Sequence, residues 1–266
     1  MAAPRTIRTL LGGLALAAAL LFAAQSPATA ELAKKGNLVV SFHGEIAPQR
    51  LPRTQAAPVA VRMGGKIKTT DRTTPPKLER IVLEINRHGR LQSQGLAVCP
   101  LQRLESISSS EARRVCGDAQ IGHGNVTSRI SLPGQGAFAS NGPLLAFNGR
   151  YKGRPAILAQ VATQAPLPLT YVIVFELRKS AGTFGTTLIG TLPPIASSYG
   201  YISAFDLALA RRYTHAGKRK SFAAADCPAP AGFTSAPFPL ARASFEFDDG
   251  RSVSAKLVRE CKVRGK

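Results

Sequence analysis

With 266 residues and 44% hydrophobic side chains, the chain can bury a substantial core, and no segment is low enough in complexity to stay unfolded. Lys and Arg outnumber Asp and Glu by 35 to 15, a formal charge of +20, which favours anionic partners and bears on association and solubility rather than on fold. Beyond the first thirty residues no apolar run approaches the roughly 20 residues that a helical membrane span needs, which excludes a multi-span helical membrane protein.

Residues 1–30 read as a secretory signal. Arg5 and Arg8 form a positive start, residues 10–24 are apolar and uncharged, and Ala28-Thr29-Ala30 supplies the small-x-small pattern a signal peptidase accepts. Cleavage after Ala30 leaves 236 residues with 33 Lys+Arg against 15 Asp+Glu, a formal +18, secreted or held in the cell envelope. The start of that mature chain, residues 31–36, is free to fray.

Leu38, Val40 and Phe42 alternate with Val39, Ser41 and His43, the period-two pattern of a strand. After a proline-bracketed loop at 51–58, Val59, Val61 and Met63 alternate with Arg62 and run through Gly64-Gly65 to Ile67, a strand expected to kink or bulge at the glycines. Residues 69–76 turn. Ile81, Leu83 and Ile85 then form one face of a strand with Arg80 and Glu84 on the other, and Asn86-Arg87-His88-Gly89 turns the chain before Leu91.

The one helix signal lies between two cysteines, Cys99 and Cys116. Ser108 followed by Glu111 fits a capping box, Ala112, Val115 and Cys116 share a face, and Gly117 is a stop signal, so a short helix is expected near 109–116. Two turns do not hold alone in water, so a bridge and a sheet must support them. With Cys227 and Cys261 the cysteines number four, and three connectivities are possible. Cys99 with Cys116 and Cys227 with Cys261 is the favoured pairing, because each pair brackets a self-contained piece of structure.

Downstream, Gly122-His123-Gly124 reads as a loop before Val126, Ser128, Ile130 and Leu132. The apolar runs 144–147 and 156–161 are joined by a glycine-containing hairpin loop at 148–154. Tyr171, Ile173, Phe175 and Leu177 alternate with Val172, Val174 and Glu176 in a strand covered on both faces. Residues 184–192 continue the pattern, as do Phe205, Leu207 and Leu209. Ala243, Phe245 and Phe247 turn through Asp248-Asp249-Gly250-Arg251 into Val253, Ala255 and Leu257, the clearest hairpin of all. The fold class is therefore all-β, a β-sandwich first and a barrel second. Residues 31–266 are taken as a single domain, because the only candidate boundary, 164–168, is short.

Motifs for common chemistries are missing. Gly65-Lys66 and Gly217-Lys218 lack the Ser or Thr of a phosphate loop, no G-x-S-x-G or H-E-x-x-H occurs, and Gly182, Gly185 and Gly190 read as turn and bend residues. Four widely spaced cysteines without a histidine pair do not match zinc, and Asp248 with Asp249 is better explained by a turn than by calcium, so no metal or cofactor is expected. A secreted hydrolase with an unrecognised site would have to use His123 with Asp118, or His88.

The sharpest functional feature is a run without an acid that holds Arg211, Arg212, Lys218, Arg219 and Lys220 together with Tyr213 and His215. If residues 201–210 and 221–225 pair as strands, this run is a loop tip able to bind anionic cell-wall polymer or an anionic lipid surface; nucleic acid is not favoured. The plain alternative is a charged edge that keeps a hairpin soluble.

Asn86-Arg87-His88-Gly89-Arg90-Leu91, Cys99-Pro100, Cys116-Gly117, the Gly-Arg-Pro-Ala-Ile-Leu within 149–158, Gly182-Thr183-Phe184-Gly185-Thr186 and Cys227-Pro228-Ala229-Pro230 resemble segments of exported, uncharacterised proteins of high-GC actinobacteria. The resemblance covers most of the mature chain. It implies export and a common fold, carries no activity, cofactor or catalytic residue, and lends weight to codon bias as a source of the arginine excess. The expected role is a non-catalytic secreted or envelope protein that binds anionic polymer, with the hydrolase as alternative.

Overall fold

The structure, a computed structural model, describes residues 30–165 and 168–264; all of the expected signal, residues 1–30, except Ala30 lies outside the described residues. The first half contributes β1 (Glu31–Lys35), β2 (Leu38–Ala47), β3 (Arg50–Leu51), β4 (Ala57–Pro58), β5 (Ala60–Thr69), β6 (Leu78–Asn86), β7 (Gly89–Leu91), α1 (Ser109–Cys116) and β8 (Gln120–Ile130). It is followed by β9 (Phe138–Tyr151), β10 (Arg154–Thr163), β11 (Leu169–Lys179), β12 (Phe184–Thr191), β13 (Gly200–Leu209), β14 (Arg212–His215), β15 (Lys218–Ser221), β16 (Ala223–Ala225), β17 (Ser235–Phe247) and β18 (Ser252–Val263).

Thirteen of these form one sheet in the order β1-β2-β5-β13-β8-β9-β10-β11-β12-β6-β17-β18-β3, antiparallel throughout except where β3 runs parallel to β18. The sheet curls until β18 lies against β1 and β2. Side chains seal the seam: Arg259 Nε donates to Gly44 O at 3.0 Å, and Arg251 Nη1 to Asn37 Oδ1 at 2.7 Å. At Gly44 a Cβ would stand 2.8 Å from Leu257 Cδ1, so the seam closes where one strand carries no side chain. The protein is all-β, a curled sheet whose two walls share an apolar interior.

That interior follows from alternation. Phe42 of β2, Phe245 of β17 and Leu257 of β18 all point inward and are buried, as are Val126, Val161 and Ile173 of the opposite wall. Packing leaves two voids of about 60 and 70 Å³ with Met63, Leu83, Leu188 and Leu209 on the lining of both. The outer face of β9, β10 and β11 is covered by α1, whose Ala112 and Cys116 sit on Leu145, Phe147 and Leu158. This double cover is why β10 reads as nearly continuous burial.

The helix begins as its sequence dictates, with Glu111 N donating to Ser108 Oγ at 3.2 Å. The Glu111 carboxylate turns to Arg114 Nη2 at 3.0 Å. Gly117 does not stop the chain in a left-handed conformation; its φ is −56° and a 3-10 turn, Gly117–Ala119, carries straight on. Both expected bridges form, Cys99–Cys116 with Cα atoms 5.5 Å apart and Cys227–Cys261 at 5.7 Å. They accord with maturation in an oxidising compartment. No helix among the described residues is long and apolar enough to cross a membrane.

Several local expectations are corrected. Residues 31–35 do not fray but pair with β2 along their length. The register passes Gly64 and Gly65 without a bulge on either side; glycine is needed there because the His43 and Phe205 rings lie where a Cβ would project. The 148–154 loop shrinks to Lys152-Gly153, both at positive φ, since β9 and β10 pair out to Tyr151 and Arg154. His123 lies inside β8, paired with Ala208 and Leu145, rather than in a loop.

The strands give the molecule two chemically distinct ends. At the end holding 71–77, 131–137 and 192–199, Asp71 accepts hydrogen bonds from Asn37 Nδ2 (2.9 Å), Thr73 Oγ1 (2.7 Å) and Thr73 N (3.1 Å). These bonds, the Asn37 side chain first, hold its carboxyl well below the usual carboxylate range. A folded value below the unfolded one means that the contribution is present above the ordinary carboxylate pKa and is lost as pH falls through the folded value. The Thr73 amide resonance is expected to stay fixed from neutral pH down to about 3 and to move only in stronger acid; a midpoint near about 4 would contradict the hydrogen-bond set.

Candidate functional site

The opposite end carries the basic run. It is neither a loop tip nor flanked by paired strands: β13 is held between β5 and β8, and the run folds back on itself as the β14–β15 hairpin. Arg212 faces Ser221, Tyr213 faces Lys220, Thr214 faces Arg219 and His215 faces Lys218. Ala216 (φ 48°) and Gly217 (φ 72°) make the two-residue turn.

Cross-strand partners share a face and neighbours alternate, so this register sorts the charge. Arg212, Thr214 and Arg219 take one face; Tyr213, His215, Lys218 and Lys220 take the other. The second face lies on the 92–95 loop. Tyr213 Oη donates to Gln92 O (3.3 Å) and Gln94 O (3.1 Å), and Lys220 Nζ donates to Gln94 Oε1 (3.3 Å). Desolvation pushes the Tyr213 phenol up, which keeps it a donor. His215 packs so closely on Gly95 (φ 86°) that a Cβ would stand 2.2 Å from its Nδ1.

Residues of both faces, Arg212, Tyr213, Thr214, Arg219 and Lys220, border a groove of about 480 Å³ between the hairpin and the Pro48 and Pro58 segments. Four cations rim it, Arg212, Arg219, Lys220 and Arg264, and no acid lines it among the described residues. Arg264 reaches the groove because its own N–H donates to Leu51 O (2.8 Å) and Lys262 N donates to Gln49 O (3.0 Å), which dock the end of β18 beside β3. Of the five basic residues expected to act together, Arg212, Arg219 and Lys220 converge. Lys218 does not line the groove, and Arg211 turns to the helix side, where its Nη2 donates to Asp118 O at 3.3 Å. The missing fourth cation, Arg264, had no local signal, because the 50–51 strand that places it is far away in sequence.

The histidines sort differently from expectation. Among the described residues no hydrogen bond or ion pair joins His123 to Asp118. His88 instead meets Asp226, Nδ1 to Oδ2 at 2.7 Å, with Asp226 nearly buried and its Oδ1 without a partner. Asp226 N donates to His88 O at 3.2 Å, and His88 N donates to Asn86 Oδ1 at 2.8 Å, so the pair ties the 87–88 turn to the segment entering Cys227. A carboxylate orienting an imidazole is half of a nucleophilic device; no hydroxyl or thiol bonds to His88 among the described residues, and neither member borders the groove or the core voids. Asp248 and Asp249 are engaged as turn acids, Asp248 Oδ1 by Lys77 N (2.9 Å) and Asp249 Oδ1 by Arg251 N (3.0 Å). No group of three or more metal-ligating side chains occurs among the described residues.

No protein-family model, no curated protein and no solved structure matches this chain.

Proposed function

We propose that the protein is a non-catalytic secreted or cell-envelope protein that holds an anionic polymer, such as a phosphate-bearing wall polymer, across the groove beside β14–β15. The observation that carries this reading is the convergence of Arg212, Arg219, Lys220 and Arg264 on one concavity that holds no acid among the described residues. Such a concavity concentrates potential and recruits a polyanion by displacing its counterions. Both disulfides support an extracytoplasmic site of action. The hydrolase alternative has a histidine–carboxylate pair in His88 and Asp226, with no hydroxyl or thiol bonded to His88 among the described residues.

Elution from immobilised heparin tests the groove. Changing Arg212, Arg219, Lys220 and Arg264 to serine is expected to flatten the dependence of log affinity on log salt by about 3–4. A control removing four positive charges elsewhere, at Arg113, Arg114, Lys68 and Lys256, should lower it far less. Equal losses from both sets would reduce the groove to general charge and end the proposal.

A further inference from the structure

At the end opposite the groove, the interior changes character. Val126, Leu144, Val161 and Ile173 form an apolar layer of β8, β9, β10 and β11. The inward positions beyond it on the same four strands are Ser128, Ser140, Thr163 and Tyr171, all buried. These hydroxyls border a cavity of about 140 Å³, roofed by Ile195, Ala196 and Tyr199. That is space for more than one water-sized group.

One hydroxyl there is unmet. Ser140 Oγ donates to Ala165 O at 2.6 Å, whereas the Tyr171 Oη, on a side chain more than nine-tenths buried, has no partner among the described residues. Burial pushes its phenol above the usual range, so it stays protonated and offers a donor. Buried polar groups are paired in native proteins, and a hydroxyl left unmet by the described residues inside a polar cavity marks a place for a water or a ligand hydroxyl.

The cavity shares Tyr199 and Gly200 with an open cleft of about 380 Å³. The shared wall is bare backbone at Gly200, where a Cβ would fall 1.8 Å from Arg129 O. Beyond it stand Tyr201, Ser197, Ser198 and Thr74, with one cation, Lys77, and one carboxylate, Asp248. Tyr199 is 46% exposed, so much of its side chain is open to solvent. Two tyrosines, several hydroxyls and balanced charge suit a ligand with both C–H faces and hydroxyls, and do not suit a polyanion.

We propose that this cleft binds a neutral saccharide unit, whose ring stacks on Tyr199 and Tyr201 while a hydroxyl-bearing arm enters the cavity and pairs with Tyr171 Oη. The site is separate from the basic groove and stands or falls independently of it.

The chain has no tryptophan and five tyrosines, three of which border this cleft or the cavity behind it, so tyrosine emission of the intact mature protein reports binding directly. Maltose, cellobiose and N,N′-diacetylchitobiose, each titrated to about 50 mM to cover millimolar affinities, are the probes. At least one should give a saturable change. Its affinity should fall about tenfold in Tyr199→Ala and severalfold in Tyr171→Phe, and should hold in Tyr213→Phe, which lies at the other end. Tyr171→Phe keeps the ring in place, and Tyr199 is on the surface, so a folded variant is available in either case. No saturable change with any of the three sugars would overturn the proposal and leave a hydration cavity. A response that persists undiminished in both cleft variants would overturn it as well. Heparin elution should be unchanged by these substitutions, which separates this outcome from that of the groove.

Discussion

Replacing Phe245 with alanine is expected to cost about 3–5 kcal/mol, the upper range for truncating a buried aromatic side chain. Phe245 is wholly buried on β17, edge-on to Phe42 of β2 at 5.9 Å between centroids and 6.4 Å from Phe205 of β13. Those strands lie far apart in the sheet order, so the ring joins β17 to strands that only the curl of the sheet brings to it. Its removal enlarges an interior that already holds voids of about 60 and 70 Å³, and a closed sheet cannot relax to fill the space. Aromatic pairing adds about 0.5–1.5 kcal/mol to the area term. Urea unfolding followed by far-ultraviolet circular dichroism measures the loss. Val258→Ala, on a side chain that is 43% exposed, is the control and should shift stability by no more than about 0.5 kcal/mol. A Phe245→Ala cost near that of the control would mean that the curled sheet does not close around this ring.

Removing the Cys227–Cys261 bridge by a double change to alanine is expected to cost about 4 kcal/mol, and the Cys99–Cys116 bridge about 3 kcal/mol. The order follows from their spans of 34 and 17 residues, because the longer closure removes more freedom from the unfolded chain. Place in the fold sharpens the contrast. Cys261 lies on β18, the strand that closes the seam, while Cys116 ends a helix lying on the outside of the sheet. Hydrogen exchange should therefore loosen around β18, β1 and β2 in the first variant and around α1 alone in the second. Equal losses in both, or protection at the seam that survives the first change, would refute this account.

The elements legible in the sequence are those written in local terms. Ser108 and the spacing of Ala112 and Cys116 mark the helix, alternation marks β2, β6, β11 and β18, and Asp248-Asp249-Gly250 marks the turn between β17 and β18. Cysteine placement points to both bridges. Where tertiary context decides, the local signal fails. β1 has no clean alternation and is held by its partner β2, and Gly64-Gly65 looks like a bulge because the rings that demand glycine come from β2 and β13. The basic run shows as composition, but the sorting of Arg212 and Arg219 from Lys218 depends on a register that only Ala216-Gly217 fixes. His88 and Asp226, and Arg264 with the groove, are pairings between distant segments that leave no mark in either. Tyr171 reads as one more inward residue of a strand, because an unmet hydroxyl is a property of its surroundings.

The sheet order governs when this molecule comes into being. β6 lies between β12 and β17 in the sheet, and β5 needs β13, so strands made early wait for strands made about a hundred residues or more later. Assembly dominated by such distant partners is slow compared with that of locally wired folds. A nascent chain that has emerged as far as β11 still presents β6 with both edges bare, and it acquires its final form only after the C-terminal hairpin has been delivered.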